Sequence, residues 1–318
     1  MKVVEHLDRA ERPLISFEII PPLRGGTLQR LLDLIEALRR YDPPFIDITS
    51  HAAETIFEET RGGEIRKRVK RKRPGTLGVC ALIQNKYQID TVPHVLCHGF
   101  TREETEDLLI ELRYLGIDNV LAVRGDHSGY VKPVPDGKTT NTYASDLVAQ
   151  IVGMNNGKYL EEGLLDADPS DFCVGVGGYP EKHFEAPNLE TDIQNTKRKV
   201  EAGAEYIVTQ MFFDNRHYHR YVEACRAVGI EVPIIPGLKI LTRKEHLSSL
   251  PRNFFLSIPK DLSDEVLAAK SNREVQEIGV RWALEQTREL IDSGAPSVHF
   301  YVMSNAKAVS KVLDQLDL

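Results

Sequence analysis

Short apolar runs alternate with longer amphipathic segments along this chain. The short runs are rich in β-branched and aromatic residues and are bounded by Gly, Pro or polar residues, which is typical of buried strands. The longer segments repeat their apolar residues at the spacing of a helix face. We predict strands at 14–20, 45–50, 77–83, 119–124, 172–177, 206–213, 232–236 and 298–303. We predict helices at 28–41, 54–70, 102–115, 144–154, 189–202, 217–228 and 272–293.

This alternation favours an α/β fold, a single closed (β/α)₈ barrel formed by one domain over residues 1–318. The alternative is an open doubly wound sheet, which should carry a glycine fingerprint after its first strand, and residues 21–26 lack it. Extra short helical pieces at 238–270, before the last strand, should cover one side of the barrel mouth. The long polar loop at 126–142 is a candidate flap.

One carboxylate interrupts the first apolar run. Glu18 lies between apolar neighbours, and Pro21 and Pro22 end the strand because proline has no N–H to donate. Glutamate is rarely buried unless it is paired or used. Glu18 is therefore either a strand-end residue paired to a Lys or Arg, or a general acid with a raised pKa, and the segment alone leaves both interpretations open.

Charge and cysteine content narrow the choice of partners and compartment. A formal net charge of −7 and a pI near 5.9 argue against nucleic acid. No apolar run reaches the roughly 18 residues that span a bilayer, and the first residues lack the apolar core of a signal peptide. The four cysteines form no C-x-x-C pair, which fits a reducing compartment. We expect a cytoplasmic protein that binds neither nucleic acid nor membrane.

Two other patterns have ordinary explanations. The basic run at 67–73 is interpreted as the solvated end of the predicted helix at 54–70, where cations complement the helix dipole. His94 and His98, and likewise His217 and His219, are spaced as metal ligands but lack an obvious third ligand, so no metal is expected.

Polar side chains collect where the predicted strands end. In a (β/α)₈ barrel, catalytic residues lie at these C-terminal ends and in the loops that follow. The set comprises Glu18, Thr49, Gln84, Arg124, Asp126, Tyr179, His183, Gln210 and Tyr301, with His94 in the loop after the third strand. Acids, cations, hydroxyls and amides at one end of a barrel suit an enzyme, and the lack of a G-x-S-x-G elbow argues against a serine hydrolase.

A series of motifs resembles the methylenetetrahydrofolate reductases of the MetF-type flavoprotein family. They lie at 16–22, 93–94, 123–126, 143–146, 179–183, 192–199, 209–214, 234–237 and 299–301, in family order and over most of the chain. The resemblance implies a (β/α)₈ barrel with FAD at its C-terminal face. It implies reduction of 5,10-methylenetetrahydrofolate to 5-methyltetrahydrofolate with NADH or NADPH, in one-carbon metabolism and methionine supply, by a homo-oligomer.

The resemblance also implies roles for individual residues. Glu18 matches the acid that protonates N10 of the folate, and Asp126 matches an acid that lies near the flavin and contacts the pterin. Gln210 matches a residue that contacts folate and nicotinamide in turn, and Thr49 and Tyr301 lie on the substrate side. The implied FAD contacts are Thr49, Ser50, Ala52, His94, Arg124, Gly125, Asp126, Ala144, Tyr179, His183, Ala186, Asp192, Asn195, Arg198 and Lys199. Without the resemblance, Arg198 and Lys199 would be interpreted as a solvated helix face.

The chain departs from the family pattern at three positions. Ser50 stands where bacterial members often have tyrosine, Asn305 where an arginine is common, and His246 where a glutamine aligns. These changes leave open the choice between NADH, NADPH and a partner protein as electron donor, and also a non-catalytic flavin- or folate-binding module. Without the resemblance, a barrel lyase or aldolase would be the alternative. The chain ends soon after the last predicted helix, so no further regulatory domain is expected.

Overall fold

The computed structural model describes residues 1–60, 62–125 and 130–316 of this chain. Its elements are numbered in chain order. The strands are β1 (Leu14–Ile19), β2 (Phe45–Ile48), β3 (Glu54–Glu59), β4 (Ile65–Lys70), β5 (Asp90–Leu96), β6 (Asn119–Val123), β7 (Cys173–Gly178), β8 (Tyr206–Thr209), β9 (Ile234–Ile235), β10 (Gly237–Leu238) and β11 (Ser297–Met303). The helices are α1 (Val3–Arg9), α2 (Leu28–Arg39), α3 (Thr76–Tyr87), α4 (Arg102–Tyr114), α5 (Ala144–Asn155), α6 (Leu189–Glu201), α7 (Asn215–Ala227), α8 (His246–Phe254), α9 (Lys260–Ala268), α10 (Asn272–Asp292) and α11 (Lys307–Leu313).

Nine parallel strands form one sheet in the order β10-β11-β1-β2-β5-β6-β7-β8-β9. The two outermost strands, β9 and β10, are separated in sequence only by Pro236. They behave as one interrupted strand, because β9 pairs with β8, β10 pairs with β11, and the carbonyl of Pro236 accepts a hydrogen bond of 2.9 Å from the backbone N–H of His299. This strand brings the two edges of the sheet together, so the predicted (β/α)₈ barrel is confirmed. Helices α8 and α9 are the predicted extra helices before the last strand.

Residues along each barrel strand alternate between the surrounding helices and the interior. On β1, Phe17 and Ile19 pack in the same apolar cluster as the buried face of α2, while Ser16 and Glu18 point into the barrel. The lower interior is apolar and consists of Val3, Phe45, Val92, Leu121, Cys173, Tyr206, Val208 and Ile235. Helix α1 closes this end, because the N–H of Val3 donates to the side chain of Asn119 at 2.8 Å. The polar interior is therefore accessible from the opposite, C-terminal end.

The predicted third strand at 77–83 is wrong. These residues belong to α3, which follows Gly75 and buries Val79, Cys80 and Ile83 at helical spacing. The third barrel strand is β5, which pairs with β2 and β6. It carries Pro93 in its middle, and a proline inside a run normally argues against a central strand. The more continuous apolar run next to it was therefore the stronger sequence signal.

The predicted helix at 54–70 is also wrong, because this segment forms the antiparallel hairpin β3–β4. Glu54 faces Lys70 and Glu58 faces Arg66 across the two strands, so complementary charges that suit a helix surface equally suit cross-strand pairs. Strand β4 is exposed throughout. Residues 67–70 of the basic run are solvated there, as expected, but they do not lie at a helix end, and Arg71 and Arg73 are half-buried.

A helix that crosses a bilayer needs about 20 mostly apolar residues. Across residues 1–60, 62–125 and 130–316, no helix combines the necessary length with the necessary apolar character.

Candidate functional site

Three buried ionisable side chains meet inside the C-terminal half of the barrel. Glu18, Asp47 and His94 lie on the neighbouring strands β1, β2 and β5, and Glu18 is directly paired with Asp47 in the strand register. The Nε2 atom of His94 is 3.6 Å from a carboxylate oxygen of Glu18 and 3.6 Å from one of Asp47. Only 9% of Glu18, 8% of His94 and none of Asp47 is exposed, so these charges interact with little screening.

The two carboxylates set the charge of the imidazole. Burial by itself pulls the pKa of His94 down, but the nearby carboxylates of Asp47 and Glu18 outweigh it, so the pKa is raised above its usual value. The 3.6 Å separations are longer than hydrogen bonds, and the contacts are therefore electrostatic. The two carboxylates therefore favour the protonated form of the imidazole between them.

The layer beneath this cluster is polar but neutral. His299 is fully buried, and burial lowers its pKa to about 4, so it carries no charge near neutral pH. Its Nδ1 lies 2.9 Å from the hydroxyl of Ser16. Beside it, the ring of Tyr206 occupies the space above Gly175, where an added Cβ would lie 2.2 Å from the tyrosine Cζ. The ionisable cluster therefore rests on a packed floor.

Tyr301 and Lys239 form the wall next to Glu18. Tyr301 is directly opposite Glu18 in the pairing of β11 with β1, and its hydroxyl donates to the carbonyl of Thr209 at 2.5 Å. The ammonium of Lys239 donates to the carbonyl of Tyr301 at 2.7 Å. Burial lowers the pKa of Lys239 to about 8, although the charge of Glu18 opposes that shift. A cation that sequence analysis missed is thus within electrostatic reach of Glu18.

A second polar group lies across the mouth, around the end of β7. The ammonium of Lys199 donates to the carbonyl of Gly177 at 2.5 Å and lies 5.8 Å from the ring centroid of Tyr179. Burial lowers the pKa of Lys199 to about 8, and the carboxylate of Asp192 opposes this. Asp192 also accepts a hydrogen bond of 2.9 Å from the N–H of His183. The alternative of a solvated helix face is therefore wrong for Lys199.

The comparisons with known proteins agree with this geometry. The family model described as methylenetetrahydrofolate reductase matches residues 2–317. This chain belongs to the methylenetetrahydrofolate reductase family. It is 32% identical to methylenetetrahydrofolate reductase 1 of Schizosaccharomyces pombe over 98% of this chain and 47% of the relative. It is 30% identical to 5,10-methylenetetrahydrofolate reductase of Salmonella typhimurium over 92% of this chain and 87% of the relative.

The length of the match differs between the relatives. The chain spans about half the length of several of the curated relatives that it matches, with 47% of the yeast reductase covered and 44% of the Caenorhabditis elegans protein named as a probable methylenetetrahydrofolate reductase (NADPH). Among solved structures, a Clostridium thermocellum protein described as binding two copies of 5-methyl-5,6,7,8-tetrahydrofolic acid superposes with a TM-score of 0.59. It is 13% identical, over 98% of this chain and 96% of that chain, which is a likeness of fold.

The structure brings most of the residues implied by the reductase resemblance to one end of the barrel. Thr49 and Ser50 follow β2, and the hydroxyl of Ser50 accepts a long hydrogen bond of 3.4 Å from Arg71. Arg124 follows β6 and pairs with Glu185 at 2.5 Å. The others at this end are Ala52, Gly125, Ala144, Ala186, Asn195 and Gln210. Arg198 is exposed on α6, where it donates to Asn195 at 3.2 Å.

Three of the predicted site residues, His94, Gln84 and Asp126, are not among those just described. His94 does not follow the third strand but lies within β5 and points into the barrel. Gln84 is not at the mouth, because it lies on α3 and contacts the N–H of Thr91, near the beginning of β5. Asp126 falls outside the described residues.

Sequence analysis missed Asp47, His299 and Lys239. Asp47 gave the same signal as Glu18, a single carboxylate inside an apolar strand, and the same argument would have identified it. His299 likewise lies between apolar residues of a predicted strand. Lys239 gave no comparable signal, because a lysine after a strand is usually solvated, and only the closure of the barrel buries it.

Proposed function

We propose that this protein is an FAD-dependent methylenetetrahydrofolate reductase. It would reduce 5,10-methylenetetrahydrofolate to 5-methyltetrahydrofolate with a hydride that originates from NADH or NADPH. Family membership supports the reaction class, and the relatives include proteins named as NADH and NADPH forms. The observation that carries the proposal is the buried carboxyl of Glu18 at the barrel mouth, next to His94, which also lies next to Asp47.

The chemistry requires an acid of this kind. Methylenetetrahydrofolate is a cyclic aminal that must open to an iminium at N5 before its methylene carbon can accept a hydride. Opening requires a proton on N10, an aniline-type nitrogen of low basicity, and a carboxylic acid in a largely dry site suits that step. Glu18 would donate the proton. The imidazole of His94, whose pKa is raised, lies beside the carboxylate that would remain after the transfer.

The residues around β7 fit a flavin dinucleotide. Lys199 supplies a cation suited to a diphosphate, and Arg124 supplies a second. His183 would contribute as a neutral hydrogen-bonding group, because burial lowers the pKa of its imidazole. Gly177 leaves an open wall for a planar ring, since among the described residues an added Cβ there would meet only the hydroxyl of Tyr179, at 3.8 Å. When bound, FAD would accept a hydride from the donor and pass it to the folate. The protein's part is to hold the two partners and supply the proton.

The remaining roles rest on the resemblance. We assign Gln210, Thr49 and Tyr301 to substrate contacts, and Asp126 to the flavin and pterin. A barrel of similar fold that binds 5-methyl-5,6,7,8-tetrahydrofolic acid is compatible with a folate at this mouth. We also propose that residues 1–318 act as one domain and that the protein is a homo-oligomer.

The direct test is the visible spectrum of the purified protein followed by its two half-reactions. We expect flavin absorption bands, bleaching of those bands by NADH or NADPH under anaerobic conditions, and reoxidation by methylenetetrahydrofolate. A colourless protein that cannot be reconstituted with FAD would contradict the proposal. Riboflavin lacks the diphosphate that Lys199 is proposed to bind. Comparing the binding of FAD with that of riboflavin therefore isolates the contribution of this contact.

A second candidate keeps the folate chemistry but takes electrons from an acidic partner protein. It is favoured by strand β4, whose residues are exposed and include Arg66, Lys67 and Lys70. This hairpin is anchored beside the site, because Arg71 donates to the carbonyl of His51 at 2.7 Å and Arg73 to that of Pro21 at 2.7 Å. Stopped-flow reduction of the flavin by NADH, by NADPH and by a low-potential iron–sulfur protein separates the candidates. Reduction by the protein donor alone supports the second.

A further inference from the structure

A cavity of about 620 Å³ lies beside the barrel mouth, between β10, β11 and the helices that follow β10. Tyr301 and Leu238 line it on the barrel side, and Leu250 and Phe254 line it on the side of α8. Ile20, which directly follows the strand of Glu18, also contributes to its wall. The cavity therefore adjoins the proposed acid and extends away from the β7 side, where the flavin is proposed to bind.

The lysine, arginine and histidine side chains of this cavity face no carboxylate among its described lining residues. Lys239, Arg243 and His246 line it, and no Asp or Glu is among the lining residues in the described part of the chain. Within that part, Lys239 donates a hydrogen bond to the carbonyl of Tyr301, and Arg243 forms no ion pair. A lysine ammonium has three N–H donors, so two remain for a ligand.

The three basic groups repel one another. Burial lowers the pKa of His246 to about 4, and Lys239 and Arg243 lower it further, so His246 is neutral near pH 7. Arg243 likewise contributes to the low pKa of Lys239, after burial. An anion in the cavity would relieve this repulsion. The apolar surface formed by Leu250, Phe254 and Met211 suits the stem of the molecule that carries it.

We propose that this cavity is an anion subsite, in which Lys239 and Arg243 bind an oxyanion at the far end of an extended substrate. The reacting ring of that substrate would lie against Glu18, which is paired with Tyr301 in the sheet. The inference rests on the proposed function, which supplies two molecules of the required chemistry. A folate carries the carboxylates of its glutamyl tail, and a nicotinamide dinucleotide carries a diphosphate.

The subsite makes Lys239 and Arg243 determinants of substrate affinity rather than of proton transfer. Asn305 lines the same cavity but brings no charge. The two cations on the segment after β10 therefore supply the positive charge of this wall. Their removal should weaken the binding of molecules that have the distal anion and should not affect molecules that lack it.

Calorimetric binding to the FAD-loaded protein tests the subsite with two pairs of unreactive probes. The folate pair is 5-formyltetrahydrofolate and 5-formyltetrahydropteroate, which lacks the glutamyl group. The dinucleotide pair is 1,4,5,6-tetrahydro-NAD and 1,4,5,6-tetrahydronicotinamide riboside, which lacks the diphosphate. The variants are Lys239→Met and Arg243→Met, with Lys239→Arg as a charge-keeping variant. The control is Lys244→Met, because Lys244 is exposed, donates to the carbonyl of Leu267 at 2.8 Å and does not line the cavity.

We expect Lys239→Met to raise the dissociation constant of one anionic probe about tenfold or more, as for a lost charge-assisted hydrogen bond. The same variant should change the dissociation constant of the matching truncated probe by less than twofold. Lys239→Arg should recover part of the lost affinity, and Lys244→Met should leave the affinities unchanged. An effect on the folate pair identifies the glutamyl carboxylates, and an effect on the dinucleotide pair identifies the diphosphate. Unchanged constants for all four probes in both Met variants would overturn the subsite and leave the proposed reductase standing. A wild-type protein that binds none of the probes would overturn both.

Discussion

The Nε2 atom of His94 lies 3.6 Å from the Oδ2 atom of Asp47, a carboxylate with no solvent exposure. An aspartate in this position would be strongly destabilising without a nearby cation. The pair is placed by two adjacent strands, β2 and β5: Asp47 is paired with Val92, and His94 is the next residue of β5 on the same face. Because His94 also contacts Glu18, the charge of Asp47 reaches the proposed acid through the imidazole.

Replacing Asp47 by Asn should therefore affect the acid without affecting the flavin. Asn keeps the shape of the side chain and removes one of the two carboxylates that raise the pKa of His94, the imidazole beside Glu18. We expect the folate half-reaction to slow about tenfold or more, a part of what general acid catalysis typically supplies. Flavin reduction by NADH should stay within a few-fold of wild type. Stopped-flow measurement of both steps decides this, and equal slowing of both would indicate a purely structural role for Asp47.

The same contact predicts a pH dependence of stability. Asp47 and Glu18 together outweigh burial and raise the pKa of His94 in the folded protein, whereas the unfolded value is about 6.5. The folded state binds more protons between these two pKa values, so the stabilisation is fully present below about pH 6.5 and is lost as the pH rises through the folded pKa.

The difference in unfolding free energy between wild type and His94→Gln should consequently shrink as the pH rises. Urea denaturation of both proteins across this range measures it, and taking the difference cancels the groups that the two proteins share, such as Lys199 and Lys239. A difference that grows with pH would mean that His94 is neutral in the folded protein.

Lys199 should be needed to retain FAD. Its ammonium already donates to the carbonyl of Gly177 at the mouth, so it needs little reorganisation to meet a diphosphate. Lys199→Met should raise the dissociation constant of FAD about tenfold or more. Lys197→Met is the matched control, because Lys197 lies on the same helix and is paired only weakly with Glu201, at 3.9 Å. Similar FAD affinities in the two variants, measured by flavin fluorescence, would contradict this assignment.

The barrel and the position of Glu18 could be predicted because both depend on local pattern. The apolar run around Glu18 and the prolines that end it are contiguous in sequence, and β1 lies where that pattern indicates. The errors arose where local pattern is ambiguous. A proline within β5 made a true central strand resemble a loop, and alternating charges at 54–70 satisfy a helix surface as well as a hairpin.

The partners of Glu18 could not be predicted in the same way. Asp47 and His94 are distant in sequence and meet only through strand register, which depended on identifying β5 correctly. Lys239 approaches Glu18 only because β10 joins β11 across the closure of the barrel, next to β1. The pattern of its own strand is thus enough to identify a residue such as Glu18 as a site residue. Its electrostatic environment could not be predicted, because the neighbouring charges come together only when the sheet closes.

The central claim is that Glu18 donates the proton that opens the folate ring, and Glu18→Gln tests it most directly. Hydride transfer from NADH or NADPH to the flavin needs no proton from Glu18, whereas opening of methylenetetrahydrofolate does. Glutamine keeps the size and polarity of the side chain and removes its acidic proton. The measurement is anaerobic stopped-flow of the two half-reactions in wild type and variant, at equal FAD occupancy. The account predicts flavin reduction near the wild-type rate and flavin reoxidation by methylenetetrahydrofolate slowed by at least about 10²–10⁴-fold. Equal slowing of both steps, or a folate step as fast as in wild type, would contradict it.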